Sequence, residues 1–491
     1  MLKRFIPIFL ILFFAYSFAR AEISQGNLTV NGSVKTEVSL RAEGGDSDLS
    51  KFKNFVELAG EYKIKDDALV FFTKARYWYD AAYDFRDKLD PAQHYMGHVQ
   101  RNDWLRDCYL DYNNGPWFLR LGKQQVSWGQ SDGITILDRV NPMDVTEYVL
   151  PDMADIRIPL WMANINYAPK LNSNLQVLII PDFEQSTAAP PGAPFTIRAY
   201  KLLTSFKDSF EAAPNSAGKF NLGPPFFRNY RGTLNTNIYY PPKQFENSKF
   251  GVQWQDRFSG WDYTLNYLYG FDYMARTYLD STVVRIPPVP GTVTLNYSRR
   301  FKLVQMAGAS LNHTFTNEGP LEGITLRSDY AVYLNEPTCY GDPVTGSSKG
   351  VNRWNNVFWL MGLDKYVITN WLVSFQFAQY IMEHDKPGIN DPVTRRPYST
   401  LSSSTNGAQD TIENIFSLKI STDFMHERLK PEVLWSFTDD NQGRLSPKLT
   451  YEIRDNLWLT LGIHYFYGNE ADSNGQFRDQ NQVYGSLKYT F

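Results

Sequence analysis

Apolar and polar residues alternate along most of the chain, so that one parity of each stretch is greasy and the other hydrophilic. Between Trp261 and Tyr273, the positions Trp261, Tyr263, Leu265, Tyr267, Tyr269, Phe271 and Tyr273 interleave with Asp262, Thr264, Asn266, Leu268, Gly270 and Asp272. Leu445, Pro447, Leu449, Tyr451 and Ile453 interleave with Arg444, Ser446, Lys448, Thr450 and Glu452 in the same way. Successive side chains leave a β-strand on opposite sides, so a period of two predicts strands with unlike faces. About 18 such segments follow one another, at 28–42, 51–65, 68–80, 103–113, 116–127, 158–169, 173–182, 247–257, 261–274, 300–315, 323–335, 352–366, 369–383, 411–424, 427–438, 442–453, 456–468 and 480–491. No amphipathic helix of comparable length competes with them.

The connections alternate between short and long. Asp66-Asp67, Asn113-Asn114-Gly115, Phe258-Ser259-Gly260 and Arg454-Asp455-Asn456 are tight, whereas 81–102, 128–157, 183–246, 275–299, 336–351 and 384–410 are long. A β-sandwich has no reason to put its long loops at one end. A transmembrane barrel does, with short periplasmic turns and long extracellular loops. The segments also suit a bilayer, which a tilted strand of roughly 9–11 residues crosses, while strands elsewhere average nearer five or six. The expectation is an all-β chain forming a transmembrane antiparallel β-barrel of about 18 strands, closed because hydrocarbon offers no partner to a free sheet edge. Tyr77, Trp78, Tyr79 and Tyr465, Phe466, Tyr467 are placed to form interfacial aromatic girdles.

The first 21 residues break the pattern. Lys3 and Arg4 precede an apolar run from Phe5 to Ala15, and Ala19-Arg20-Ala21 is a small-x-small cleavage site, so 1–21 reads as a secretory signal peptide and 22–491 as the barrel. With 43% hydrophobic and 21% charged residues, the chain of 491 residues is neither disordered nor, given its mean hydropathy of −0.39, a bundle of membrane helices. Polar lumen positions explain that low value. A net charge of −3 gives no electrostatic reason for nucleic acid as a partner. Two cysteines exclude a disulfide scaffold. Cys108 falls within a strand and Cys339 in a loop beyond a strand end, so two free thiols are expected.

The last segment places Val483, Gly485, Leu487, Tyr489 and Phe491 on one face and ends in an aromatic. This looks like the signal by which the barrel-assembly machinery recognises bacterial outer-membrane barrels, and it directs the chain to the outer membrane of a Gram-negative cell. Residues 117–144 carry a second resemblance. Arg120-x-Gly122-Lys123-Gln124, then Trp128-Gly129, then Asn141-Pro142-x-Asp144, preceded by Leu105-Arg106-Asp107-Cys108-Tyr109-Leu110, resembles a large uncharacterised family of proteobacterial outer-membrane barrels, similar in style to the alginate-export porins. Asp262-Tyr263-x-Leu265-x-Tyr267-x-x-Gly270 and Ala307-Gly308-Ala309-Ser310-Leu311-Asn312 fit the same family. The resemblance implies a barrel that passes solutes. An alginate-type conduit would be strongly basic, which the mixed charges here do not supply.

Arg120, Gly122 and Gln124 share one parity against Leu119 and Leu121, which puts Arg120 and Gln124 in the lumen and leaves Gly122 as space for a long side chain or an infolded loop. The next stretch, 131–157, is rich in Ile, Leu, Val and Met, and carries Asp138, Arg139, Asp144, Asp152, Asp155 and Arg157. So apolar a loop has to pack somewhere, and folding into the barrel to narrow it is one answer; capping the outer rim is the other. Asp144-Val-Thr-Glu147 has capping-box spacing for a short helix. The insertion 183–246 is rich in Pro and Gly, and its Phe195, Tyr200, Phe226, Phe227, Tyr239 and Tyr240 either stack on a solute or pack the loop's own core. Lumen parity also selects Lys74, Arg76, Arg327, Asp329, Asp364, Glu413, Lys419, Arg444, Lys448 and Glu452, of both signs, which predicts weak ion selectivity or a rigidifying ladder.

Chemistry finds little support. His94 and His98 are four apart without the metalloprotease glutamate, there is no Gly-x-Ser-x-Gly elbow, and Asp439-Asp440-Asn441-Gln442-Gly443 lacks calcium-loop spacing. No cofactor or metal is expected, and an enzyme is not. The reading is a passive, porin-like channel for small solutes surrounded by outer-membrane lipid. Its alternatives are a conduit for an apolar solute, lipid or polysaccharide fed by a periplasmic transport partner, and a structural or adhesion barrel plugged by its own loops.

Overall fold

The structure, a computed structural model, describes residues 23–42, 49–85, 104–131, 133–189, 193–196, 230–285, 291–341, 348–382, 412–469 and 472–491. Eighteen antiparallel strands close into one barrel. In chain order they are β1 (Leu28–Arg41), β2 (Leu49–Lys65), β3 (Leu69–Asp80), β4 (Leu105–Asn114), β5 (Trp117–Gln124), β6 (Leu160–Lys170), β7 (Ser173–Ile180), β8 (Lys249–Phe258) and β9 (Trp261–Phe271). The second half comprises β10 (Leu303–Thr314), β11 (Ile324–Gly341), β12 (Ser348–Ile368), β13 (Trp371–Met382), β14 (Ile412–Ser421), β15 (Leu429–Thr438), β16 (Gly443–Arg454), β17 (Leu457–Tyr467) and β18 (Gln482–Thr490). Each of the 18 segments read from the alternation corresponds to one of them.

Each strand pairs with its neighbour in sequence, and the ring closes where β1 meets β18, from Ser33 opposite Thr490 to Arg41 opposite Gln482. Beyond that ladder, Gly32 N donates to Phe491 O at 2.7 Å and Phe491 N donates to Gly32 O at 2.9 Å. Closure leaves no free edge, as hydrocarbon requires. The alternation decides which face looks out. On β9, Leu265 is 55% exposed and Asn266 only 5%. Outward Leu461, Ile463 and Tyr465 on β17 interleave with inward Gly462, His464 and Phe466. A leucine moved from water to lipid contributes about 1.5–3 kcal/mol, so this apolar outer wall is stable in a bilayer and costly in water. No helix among the described residues is long and apolar enough to cross a membrane.

Connections 66–68, 115–116, 171–172, 259–260, 369–370 and 455–456 turn tightly at one rim. Asn370 and Asn456 sit there with φ of 64° and 65°, the left-handed conformation that two-residue hairpins need and asparagine tolerates. At the other rim lie the long segments. Two of these are shorter than the sequence suggests. The expected loop 336–351 is mostly strand, because β11 and β12 continue their pairing to Gly341 opposite Ser348, which also places Cys339 in β11. The expected loop 275–299 holds the hairpin Arg276–Arg285 and Gly291–Arg300, which pairs in parallel with Tyr230–Tyr239 as a separate three-stranded sheet. Of the two cysteines, Cys108 is a free thiol; the Cys339 side chain lies outside the described residues.

The outer wall carries an aromatic band from β12 to β17. Trp359, Phe377, Phe416, Phe437 and Trp435 meet ring to ring at centroid distances of 4.5–5.2 Å, and Trp435 Nε1 donates to Tyr467 Oη at 2.9 Å. Tyr77 and Tyr465 also face out, as expected. Trp78 and Phe466 do not join the girdle: their parity turns them inward, Trp78 under Lys53 Nζ at 4.1 Å and Phe466 at 1% exposure.

Gly122 serves a different purpose from the one expected. Its φ is +142°, and a Cβ there would strike the β4 backbone, meeting Cys108 O and, at 2.6 Å, Tyr109 Cα. What approaches it is the neighbouring strand and not a loop. Gly122→Ala is therefore expected to destabilise the barrel by about 1–3 kcal/mol, measured by urea unfolding in lipid vesicles. An unchanged midpoint would show that the strand pair absorbs the methyl group.

Candidate functional site

Segment 125–159, between β5 and β6, runs across the inside of the ring and is fastened to strands far apart on it. Val126, Trp128, Ile136, Leu137 and Val140 are buried together with inward residues of β6, β7 and β9–β13, including Leu160, Leu178, Met306, Leu360 and Ala378. The wall is hollowed to receive them. A Cβ on Gly308 would meet Leu137 Cδ2, and one on Gly251 would lie 2.9 Å from Trp128 Cη2. These glycines on β10 and β8 supply the room expected of Gly122.

Polar bonds fix the same stretch to β11. The Asp329 carboxylate, fully buried, accepts from Gln130 N at 3.0 Å and Ser131 N at 3.1 Å. Arg327 Nη1 donates to Gln130 O at 3.0 Å, and its Nε lies 2.7 Å from Asp364. Arg139 Nε donates to Tyr333 Oη at 3.0 Å, and Tyr333 Oη donates to Ile136 O at 2.9 Å. Lys249 Nζ donates to Arg139 O at 3.1 Å. Asn141 donates to Ile158 O at 2.9 Å and accepts from Val126 N at 2.8 Å, tying the two ends of the segment.

The second half of the segment is held by charge. Glu147 bridges Lys51 and Lys53 on β2, the latter at 2.6 Å. Asp155 lies 2.5 Å from Arg76, which also holds Glu57 at 2.8 Å, with Lys74 at 3.6 Å from Glu57. Arg157 pairs with Asp138 at 2.6 Å, and Arg106 donates to Ala154 O and Arg157 O at 3.1 and 2.6 Å. On the far side, Arg444 Nη1 donates to Val149 O at 3.1 Å, and Tyr148 packs on Phe466 and Phe477 while donating to Asn474 Oδ1 at 3.0 Å. Phe195, from the 183–246 insertion, completes that cluster with Ala189 and Ala193, so it packs on β17 and the segment before β18 and not on a core of the insertion's own. Tyr239 and Tyr240 are exposed. Tyr200, Phe226 and Phe227, like His94 and His98, lie outside the described residues.

Other expected positions are more local. Arg120 forks onto Asp111 at 2.7 and 2.8 Å and stacks 3.8 Å over Tyr109. Gln124, 1% exposed, donates to Met162 O at 3.2 Å. Lys419 and Lys448 share Glu432 at 3.5 and 3.0 Å. Glu452 stands at the tight-turn rim, accepting from Asn456 N at 3.3 Å, away from the segment. Asp144 starts no helix: with Val145 it pairs with Thr187-Ala188, and its Oδ1 accepts from Thr146 N at 3.1 Å, because Glu147 is drawn off to the β2 lysines. The one helical turn in the segment is Met153–Ile156, behind Asp152, whose carbonyl accepts from Asp155 N at 2.8 Å.

Sequence reasoning missed Lys51, Lys53, Arg106, Lys249 and Tyr333. Lys51 and Lys53 carry a usable signal, two cations of lumen parity on a recognised strand. Arg106 carries none: β4 slips register there, with Lys74 opposite Asp107 and Ala75 opposite Leu105. No group of three or more metal-binding side chains occurs among the described residues.

Burial alone would raise the Glu147 carboxyl, but Lys51 and Lys53 hold it well below the usual carboxylate range; Asp155 is likewise lowered, by Arg76 against burial. Burial pushes Asp138 up despite Arg157. A carboxylate depressed in the folded state stabilises it above its unfolded pKa, and that contribution is lost only as pH falls through the depressed value. Residues 144–157 are therefore expected to keep most of their protection from hydrogen exchange at about pH 4, where ordinary carboxylates titrate, and to lose the rest only in stronger acid. Glu147→Gln is expected to cost about 1–3 kcal/mol of that protection at pH 7, by leaving Lys53 without its carboxylate and Lys51 with only Glu37 at 3.6 Å. Protection already lost by pH 5 in the unaltered protein would contradict the ion-pair account.

The family described as "Protein of unknown function (DUF1302)" matches residues 17–491. No curated protein matches the chain. Among solved structures, Pseudomonas aeruginosa OpdK with vanillate is similar at 9% identity over 95% of this chain and 98% of that one, with a TM-score of 0.48. Acinetobacter baumannii OccAB1 is similar at 10% identity over 97% and 98%, with a TM-score of 0.49. The outer membrane channel DcaP of Acinetobacter baumannii is similar at 10% identity over 96% and 100%, with a TM-score of 0.40.

Proposed function

The chain belongs to that family of unknown function, and on the physics of its own barrel we propose that it is a passive channel of the Gram-negative outer membrane. The observation that carries this is the closed 18-strand ring, apolar outside and charged inside. Barrels of about this size leave an aqueous lumen. Small hydrated solutes move down their gradient past Lys74, Arg76, Arg120, Arg327, Asp364, Lys419, Arg444 and Glu452, while Gln124 and Asp329, both buried, hold the wall and the infolded segment in place. Residues 131–157, with Asp138, Arg139, Asp144, Asp152, Asp155 and Arg157, form the constriction. Asp138, Asp155 and Arg157 are paired with opposite charges and the charges are of both signs, so the field across it is local and ion selectivity is weak.

In this reading residues 1–21 export the chain and are removed, the long segments, 183–246 among them, face outward, and the C-terminal strand ending at Phe491 is recognised by the barrel-assembly machinery. A second reading has support of its own. The apolar packing of Trp128, Ile136 and Leu137 against β6–β13 fills part of the ring, as in a barrel plugged by its own loops or opened only by a periplasmic partner.

Single-channel recording of refolded 22–491 in a planar bilayer separates them. A stable conductance is expected, rising by about two- to fivefold when 131–157 is replaced by a short flexible linker. Silence in both forms would favour the plugged barrel; silence that ends on deletion would favour a partner-opened one.

A further inference from the structure

Charge is unevenly spread around the inner wall. Between the apolar inward residues that meet the infolded segment, Leu160, Leu178, Leu268 and Met306 among them, and the Arg257–Asp262 pair at the tight turns, the inward positions of β6–β10 carry amides and hydroxyls in place of charges. Asn166, Asn174, Gln176, Gln253, Gln255 and Asn312 remain solvent-accessible there. They are set by a buried layer behind them. Asn174 donates to Asn166 Oδ1 at 3.0 Å, Asn166 donates to Asn164 Oδ1 at 2.9 Å, and Gln176 donates to the same oxygen at 3.1 Å. Gln253 donates to Asn266 Oδ1 at 2.6 Å, and Asn266 donates to Thr264 Oγ1 at 2.9 Å. Asn164 and Asn266 are 7% and 5% exposed. Trp128 Nε1 donates to Gln176 Oε1 at 2.8 Å, so the infolded segment rests on the upper end of this wall. In a ring of 18, β8 stands opposite β17, and the facing sector carries the paired Glu432 and Lys448.

An amide offers both a donor and an acceptor without charge, which is what a hydroxyl group needs from a partner. Amides bonded to one another keep a fixed orientation and lose little freedom when a solute arrives. An anion finds no cation on this wall, and an apolar solute would strip water from amides without replacing its bonds. Several weak bonds in a row also satisfy the requirement that a permeating solute bind well enough to enter and loosely enough to leave. We propose that the amide wall of β6–β10 is a binding track for an uncharged polyhydroxylated solute, a sugar or polyol, whose hydroxyl groups pair with Asn166, Asn174, Gln253 and Gln255.

This rests on the channel reading, and the test separates the two. Maltose and a polyethylene glycol of matched hydrodynamic size are added to the full mature protein in a planar bilayer. Maltose is expected to reduce the conductance saturably, beyond the viscosity effect that the glycol also produces. Asn166→Leu and Gln253→Leu are expected to weaken that block by about tenfold or more while salt conductance persists. Stable salt conductance with maltose and glycol indistinguishable overturns the track and leaves the channel, a result that needs no variant to fold. Maltose block unchanged in both variants places binding elsewhere and overturns it as well. No salt conductance, with 131–157 present or replaced, overturns both.

Discussion

A backbone amide in hydrocarbon has no solvent to bond to, and the architecture follows from that single requirement. It forces the sheet to close, so the first and last strands must meet, and Gly32 and Phe491 extend their ladder to the end of the chain. Closure in turn makes parity absolute. A residue faces either lipid or lumen, and the sequence obeys by alternating. Polar groups collected on the inside then need partners among themselves, which is why the interior is a set of bonded amides and paired charges.

The infolded segment exploits both resources. Its first half is held mainly by apolar packing, with Leu137 over Gly308 and Trp128 over Gly251, and its second half mainly by ion pairs to Lys51, Lys53 and Arg76. The two kinds of attachment respond differently to conditions. Apolar packing does not depend on charge screening, while partly exposed ion pairs weaken as salt rises. One end of the segment is thus a permanent fixture and the other a conditional one.

The strands were legible because period two is a strong signal over ten or more residues, and barrel closure was legible from the alternation of short and long connections. The failures have local physical causes. A register slip beside Arg106 turns its side chain to a position parity cannot predict. Trp78 and Phe466 were placed by proximity to strand ends, whereas their parity points them inward. Glu147 has capping-box spacing, yet two lysines bind it more strongly than a helix terminus would. Which wall residue meets which loop residue depends on contacts between elements distant in the chain, and one sequence holds no record of them. The amide wall obeys the same parity, but its uncharged residues stand out less from the alternation than charged ones do.

The segment's attachments also have a consequence for the order of assembly. Gln130 reaches a partner 199 residues later at Asp329, and Val149 one 295 residues later at Arg444. Contacts of such separation are entropically the last to form. Residues 125–159 meet their ion-pair partners on β2 and β3 from strands that precede them in the chain, whereas their partners on β11 and β16 come much later, so the attachment is completed only when those strands are in place. The segment thus joins contacts of short and very long separation, and the long ones, to β11 and β16, carry the larger entropic cost of closure.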